Sequence, residues 1–446
     1  MIPIDDDEIM LATGGLFAPT IRYHEGRFFV VCTNVIHIEG ATEDKHENFI
    51  VSTTDIYSDK WSDPIHFEFN GIDTCLFFDD QSGKIFIHGS ASPGPMTKIH
   101  LFEIDLNTGK KLSEEKKIWD GTGGIYPEGP HLYKKDGYYY LVISEGGTFE
   151  DHCITVARST DIWGPYEAFQ NNPILTARGT DNYIRYTGHC DLFEDDQGRW
   201  WGVCLGVRKD KGSRHIMGRE TFLTPGEWPN GGWPSLRQVV LNPVLKDGTV
   251  MARAKDPNPF QAKSGVDYIF IRDAKLQEYE FSKDKQTITI VGSKADLSQW
   301  KETVAFVGIR QRKLDAQASV KMTLPGDNSG LRAGLALYKD EHRFVRIFYD
   351  DSTSEMVLEV LNRAKSISRV QRHNFEGKGP VEFRMKYTET SVIFFYSSLE
   401  RSWTSFDAFD TLDLTGPDFV GPVVGIFAIS EVGNVKVKFD NFKVDS

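Results

Sequence analysis

The sequence predicts an all-β protein built from a β-propeller followed by a β-sandwich. Three observations predict it. A similar phrase recurs four times in the first half: APTIRYHEGRFFVVCT from Ala18, DTCLFFDDQSGKIFIHGS from Asp73, EGPHLYKKDGYYYLVIS from Glu128 and GHCDLFEDDQGRWWGVCLG from Gly188. The turn glycines Gly26, Gly83, Gly137 and Gly198 are 57, 54 and 61 residues apart (83−26, 137−83, 198−137). A period of roughly 50 to 60 residues with several short strands per unit means small sheets repeated around an axis. Beyond Val266 strand-like alternation continues without the repeat, and no long amphipathic helix is evident anywhere.

Each copy runs from a polar head through an apolar-aromatic strand and a turn into a second aromatic-rich strand. Arg27–Thr33, Lys84–Gly89, Tyr138–Ser144 and Arg199–Gly206 are read as strands that follow tight EG, DG or QG turns. Asn242–Gly265, with Pro243, Pro257 and Pro259, reads as a linker or wrap-around segment. After it come Asp267–Arg272, Thr287–Val291, Ala318–Leu324, Gly330–Tyr338, Arg343–Tyr349, Met356–Leu361, Val381–Tyr387, Val392–Tyr396, Gly421–Ile429 and Val435–Val444. Strands this closely spaced indicate a sandwich. The expected division is a propeller over 1–250, a linker over 251–265 and a sandwich over 266–446. The heads Asp73, Glu128 and His189 are expected to converge near the propeller axis.

The 446 residues suffice for two cores, and 40% hydrophobic with 26% charged residues marks a globular chain. A net charge of −13 disfavours nucleic acid and anionic membrane surfaces, which call for basic patches. Neutral sugars carry no such constraint, and 12% aromatics suits either a saccharide surface or a β core. Five cysteines (Cys32, Cys75, Cys153, Cys190, Cys204) show no paired spacing. Cys32 and Cys204 fall in strands expected to be buried. No N-glycosylation acceptor, signal peptide or spanning apolar run is seen. The expected location is therefore cytoplasmic.

The segments GLFAPTIRYHEGRFFVVCTNV, GIDTCLFFDDQSGKIF, YPEGPHLYKKDGYYYL, TGHCDLFEDDQGRWWGV and GRETFLTPGEWPNGGWP follow in an order that resembles glycoside hydrolase family 43, in its β-xylosidase and α-L-arabinofuranosidase branch. DYIFIRDAKLQEYEF and FVGIRQRKLDAQASVKM are similar to the concanavalin-like sandwich such enzymes append. The resemblance covers nearly the whole chain. It implies a five-bladed propeller and inverting hydrolysis of xylosyl or arabinosyl oligosaccharides, as in xylan degradation.

Inverting hydrolysis uses two carboxyl groups roughly 6.5–9.5 Å apart, one donating a proton and one activating water. By resemblance Glu128, in Tyr-Pro-Glu-Gly-Pro, is the general acid, where an ordinary turn glutamate is the plain alternative. Asp73, in Gly-Ile-Asp, matches the aspartate that raises the acid's pKa, with Thr74 where the family usually has Pro; a turn cap is the alternative. Arg219 matches an arginine that holds sugar hydroxyls, its planar fork suited to the task, and an ion pair with Glu220 is the plain reading. Phe17 stands where the family has Trp, and Phe306 begins the segment that sends an aromatic to close the pocket, although a strand-start Phe is more often core. His189 matches an axial histidine that holds calcium in some relatives, against a buried histidine bonded to backbone. No cofactor is required by this chemistry. A structural calcium at His189 or at Phe439–Asp445 is the metal to look for, against the commoner β-edge Asp-Asn. A homo-oligomer is left open.

The pattern breaks at the base. The family places it as an aspartate in a Pro-Asp-Pro type of motif on a blade preceding Gly15–Val35, and no residue of this chain matches it. Four repeats stand where five are implied. The sequence leaves open a truncated active enzyme, a four-bladed relative with altered activity, and recruitment of an acid from Asp5–Asp7. An acid without its base implies weak or absent turnover, so a sugar-binding propeller descended from such an enzyme is the alternative function. A propeller used only for protein interaction is disfavoured by the retained acidic and arginine heads.

Overall fold

A computed structural model describes residues 14–445 apart from 39–40, 42, 59, 246–247, 249–267, 285, 300, 325–329, 378, 399–401 and 417–418. Asp5–Asp7 and the expected linker 251–265 lie outside the described residues. The chain forms two compact units. One holds Ala12–Arg208 and Glu220–Pro257. The other joins Lys209–Arg219 to Asn258–Ser446.

The first unit is four antiparallel sheets, one per repeat. The first contains β1 (Gly15–His24), β2 (Arg27–Ile36), β3 (Lys45–Thr53) and β4 (Ile65–Phe67), and the second β5 (Gly71–Asp79), β6 (Lys84–Ala91), β7 (Lys98–Glu103) and β8 (Lys116–Trp119). The third contains β9 (Glu128–Lys135), β10 (Tyr138–Glu145), β11 (Cys153–Ser159), β12 (Glu167–Ala168) and β13 (Leu175–Thr176). The fourth contains β14 (Ile184–Glu194), β15 (Trp200–Arg208), β16 (Glu220–Glu227) and β17 (Ser235–Leu236). The polar heads Asp73, Glu128 and His189 therefore fall on the first strands of their sheets, β5, β9 and β14. The turn glycines work as expected at β1–β2 and β9–β10, where Gly26 and Gly137 adopt φ of 79° and 82°.

Apolar faces of neighbouring blades make the core. Leu76 and Ile87 pack with Val31 and Ile50 between blades one and two. Phe77, Phe86 and Leu101 pack with Leu132, Leu141 and Ile143 between two and three. Tyr140, Val142 and Val156 pack with Cys190, Leu192 and Trp228 between three and four. All five cysteines are free, and Cys32 and Cys204 are buried as expected.

The second unit is a sandwich of a seven-stranded and an eight-stranded antiparallel sheet. Alternation explains its cores. Leu331, Ala333, Leu335 and Leu337 point to the space between the sheets, where they meet Val320, Met322, Phe383 and Phe439. Ala336 and Tyr338 point the other way, into a second core with Leu297, Phe344 and Phe427. Phe306 belongs to that second core and corrects its reading as a pocket aromatic. It is fully buried, its ring lies 5.4 Å from that of Tyr338, and the absence of a side chain at Gly425 makes room for it. A ring so enclosed presents no face to a sugar.

Candidate functional site

The four inner strands share one irregularity. Two residues oppose one at Ala18-Pro19, Asp73-Thr74, Gly129-Pro130 and His189-Cys190, where the pairing register slips. The first residue of each pair lies in the left-handed region, with φ of 24°, 54°, 58° and 46°. These are β-bulges repeated at the same station of each blade. A bulge re-aims the side chain at its head, and left-handed backbone at residues other than glycine is costly enough to mark a functional site. Asp and His tolerate that region better than most residues.

The bulges bring Asp73 and His189 against Gly129, the residue that follows Glu128. Asp73 is buried, and its Oδ2 accepts a hydrogen bond from the backbone N–H of Gly129 at 3.1 Å. That N–H belongs to the residue after Glu128. The His189 ring lies against the same glycine, where a β-carbon would stand 3.1 Å from it. The backbone N–H of His189 donates to Ser144 Oγ at 2.6 Å, and Ser144 is the register partner of Glu128. Glu128 itself is half-buried and precedes the bulge by one residue. It thus occupies in the third blade the station that Phe17 occupies in the first.

Arg219 ends the Lys209–Arg219 segment of the second unit, and its guanidinium lies over the Phe419 ring at 4.3 Å. Glu220, its suggested partner, instead accepts two bonds of 2.7 Å from Arg208. Phe17 is half-buried, and its carbonyl accepts from Cys32 Sγ at 3.1 Å.

Among the described residues no three of His, Cys, Asp or Glu are grouped to hold a metal. In Phe439–Asp445, Asp440 accepts from Thr287 Oγ1 at 2.7 Å and pairs with Lys438 at 3.2 Å, as a strand carboxylate does.

Beyond the bulges lies a charged layer that sequence reasoning missed. Arg22 of β1 donates to Asp191 of β14 at 2.6 and 3.2 Å and meets His131 Nδ1 of β9 at 3.1 Å. Tyr133 OH donates to Asp191 at 2.6 Å and accepts from the Leu192 N–H at 2.7 Å. Burial pushes the Asp191 carboxyl up, but His131, Arg22 and the Arg22 and Tyr133 bonds outweigh it and hold it well below the carboxylate range. Burial lowers His131 to about 4, against a pull upward from Asp191. His131 is therefore neutral at pH 7, and Arg22 is the standing counter-charge. Burial, with His131 and Arg22 nearby, also holds His88 well below the usual histidine value. The only sequence signal for this layer is position: His131 and Asp191 stand two residues beyond the bulge glycine and the bulge histidine.

With this geometry in place, comparison with known proteins is informative. The sequence profile of glycosyl hydrolases family 43 matches residues 4–234, and that of the β-xylosidase C-terminal concanavalin A-like domain matches 260–445. A non-reducing end α-L-arabinofuranosidase of Bacteroides ovatus is 29% identical over 391 residues, 86% of this chain and 72% of that protein. A xylosidase/arabinosidase of Butyrivibrio fibrisolvens is 37% identical over 316 residues, and the match spans 68% of this chain and about half, 53%, of that protein. Among solved structures, a family 43 protein of the Bacteroides ovatus xyloglucan locus superposes with a TM-score of 0.83 at 27% identity, covering 97% of this chain and 86% of its own. A xylan β-1,4-xylosidase of Bacillus halodurans, at 24% identity, shares the fold with a TM-score of 0.87 over 99% of this chain and 89% of its own. Four bulged inner strands, a concanavalin-like second unit and a family profile that spans most of the propeller agree: the chain belongs to glycosyl hydrolases family 43.

Proposed function

We propose that this chain hydrolyses glycosidic bonds at xylosyl or arabinosyl ends of oligosaccharides, with Glu128 as the proton donor. The observation that carries the reading is the bond from Gly129 N–H to Asp73 Oδ2. It ties the residue after Glu128 to a buried carboxylate of the neighbouring blade. A negative charge near a carboxylic acid favours its protonated form, which a proton donor needs. In the reaction Glu128 gives its proton to the glycosidic oxygen as the bond to the anomeric carbon breaks. Water adds to that carbon from the opposite face and releases a proton. The names borne by the Bacteroides and Butyrivibrio relatives support the sugar class.

No described residue is assigned the base that takes the proton from water. Without such a base, turnover would be about 10²–10⁴-fold below that of a complete acid–base pair. Release of nitrophenol from nitrophenyl β-D-xyloside and α-L-arabinofuranoside tests the reading. Wild-type protein is expected to exceed the uncatalysed rate on at least one, and Glu128→Gln to lower it by about 10²-fold or more. Equal rates for the two proteins remove Glu128 from the role.

One observation favours a second reading, a sugar-binding propeller with impaired turnover. Of the four bulge residues only Asp73 is acidic, the others being Ala18, Gly129 and His189. That reading predicts a calorimetric signal for xylobiose with no hydrolysis by the wild type.

A further inference from the structure

The segment that delivers Glu128 to the axis is unusually free by composition. Gly121, Gly123 and Gly124 fall within four residues, and the first two adopt φ of 81° and 100°. Glycine loses more conformational freedom on ordering than any other residue. Something must hold this loop for the next residues to present an acid at a fixed place.

A single buried carboxylate does so. Glu145, the last residue of β10, is 2% exposed. Its Oε1 accepts from the backbone N–H groups of Thr122 at 2.9 Å and Gly124 at 3.2 Å. Its Oε2 accepts from Thr122 Oγ1 at 2.9 Å and Thr155 Oγ1 at 2.6 Å. A β-carbon at Gly121 would stand 2.6 Å from Oε1, so the glycine there is required by the carboxylate's position. The far end of the loop is fixed by backbone alone: Gly146 N–H donates to Ile125 O at 2.8 Å and Tyr126 N–H to Pro95 O at 3.1 Å. Directly before Glu145 stands Ser144, which pairs with Glu128 and accepts from His189 N–H. One dipeptide thus governs the entry to Glu128 and the bulge of the next blade.

We infer that Glu145 is a positioning residue for Glu128, acting through the 121–127 loop. The inference rests on the reading of Glu128 as proton donor. Four donors converge on one carboxylate, and charge-assisted bonds of this kind are the stronger ones. Losing it releases three glycines just ahead of the acid, and proton delivery is sensitive to small misplacement.

The test compares two substrates. A dinitrophenyl β-xyloside has a leaving group that departs with little proton assistance, whereas xylobiose needs it. For Glu145→Ala the inference expects kcat/KM on xylobiose to fall about 10²-fold and that on the dinitrophenyl xyloside to fall less than about 3-fold. Glu145→Gln keeps the oxygen that faces the two N–H groups, and the threonine hydroxyls can turn to accept from its amide, so it restores most of the loss. Equal losses on both substrates make Glu145 a folding residue and overturn the inference. Glu128→Ala is the control: if it shows no preference between the substrates, the proton-donor reading fails and the inference with it. If Glu128→Ala shows the preference and Glu145→Ala does not, the inference alone fails. Thr122→Val, which removes one donor, serves if Glu145→Ala does not fold, and is expected to show a smaller loss with the same substrate bias. Amide hydrogen exchange of the 120–128 peptide is expected to quicken in either variant, and it decides the matter if wild-type turnover is absent. Unchanged exchange there overturns the inference.

Discussion

Asp73 combines an acceptor oxygen with a carboxylate's charge, and one substitution separates the two. Its oxygen accepts from Gly129 N–H, and its charge stands beside the Glu128 segment. Asparagine keeps an acceptor oxygen and tolerates the left-handed φ of 54° at this position. Asp73→Asn should therefore leave unfolding free energy within about 1 kcal/mol of wild type. Removing the negative charge lowers the pKa of a nearby acid, so the protonated form of Glu128 is lost at lower pH. The alkaline limb of the kcat/KM profile is expected to move to lower pH. An unmoved limb would show that Asp73 is a strand-start acceptor and no more. At this scale the sequence was misleading about how the repeat heads align. Asp73 and Glu128 each open a repeat and read as equivalent heads. The pairing register instead aligns Asp73 with Gly129 and Glu128 with Phe17. A one-residue offset at a bulge leaves no mark in the alternation on either side of it.

Among strands, the Arg22–Asp191 pair does what apolar packing does between the other blades. Cores of buried side chains join blade one to two, two to three and three to four. Among the described residues, strands β1 and β14 are linked through Arg22 and Asp191, which are 169 positions apart. Breaking a buried ion pair by removing one partner costs about 3–5 kcal/mol because the other charge is left uncompensated. The two side chains keep 21% and 29% of their surface, so the low end applies. Arg22→Met is expected to lower the urea midpoint accordingly, and the double variant Arg22→Met/Asp191→Asn to recover part of it. No short-range pattern could show this contact. The same limit explains a strand that went unread, Ile367–Asn374 in the sandwich. It is an edge strand that pairs only with Glu355–Asn362, and its sequence ISRVQRHN is largely polar. Polar edges discourage further pairing, and for that reason they read as loops. The neighbouring strands alternate apolar with polar because one face is buried, and those were legible to within one or two residues at most ends.

Across the whole chain the two units carry different acid-sensitive groups, and this separates their unfolding. In the propeller, burial depresses His131 from 6.5 to about 4, and His88 is depressed in the same direction. A group whose folded pKa lies below its unfolded value contributes stability that is complete above the unfolded pKa and is lost as pH falls toward the folded one. For His131 the window runs from pH 6.5 down to about 4, and the loss is on the order of 3 kcal/mol. Asp191 adds a further loss as pH falls through the ordinary carboxylate value of 3.8 toward its own lower one, because the unfolded chain takes up that proton first. In the sandwich the buried charges include Arg346 with Asp296 and Glu359, and Arg343 with Asp340. Burial opposes ionisation of Asp296, but Arg346, the Ser298 N–H and Arg332 prevail and lower it, so its contribution survives to acid pH. One sandwich histidine, His342, is also lowered by burial, which makes the sandwich's loss between pH 6.5 and 4 smaller than the propeller's rather than nil. Acid titration is therefore expected to unfold the propeller first. Trp residues report it well, since Trp119, Trp201 and Trp228 are buried in the propeller core. Their fluorescence should change between pH 6.5 and 4, while amide exchange in Leu331–Asp340 and Val423–Ser430 stays protected until lower pH. His131→Asn should flatten the first transition's pH dependence without moving the second. A single transition in which both signals change together would mean that the histidine layer does not set the propeller's acid limit.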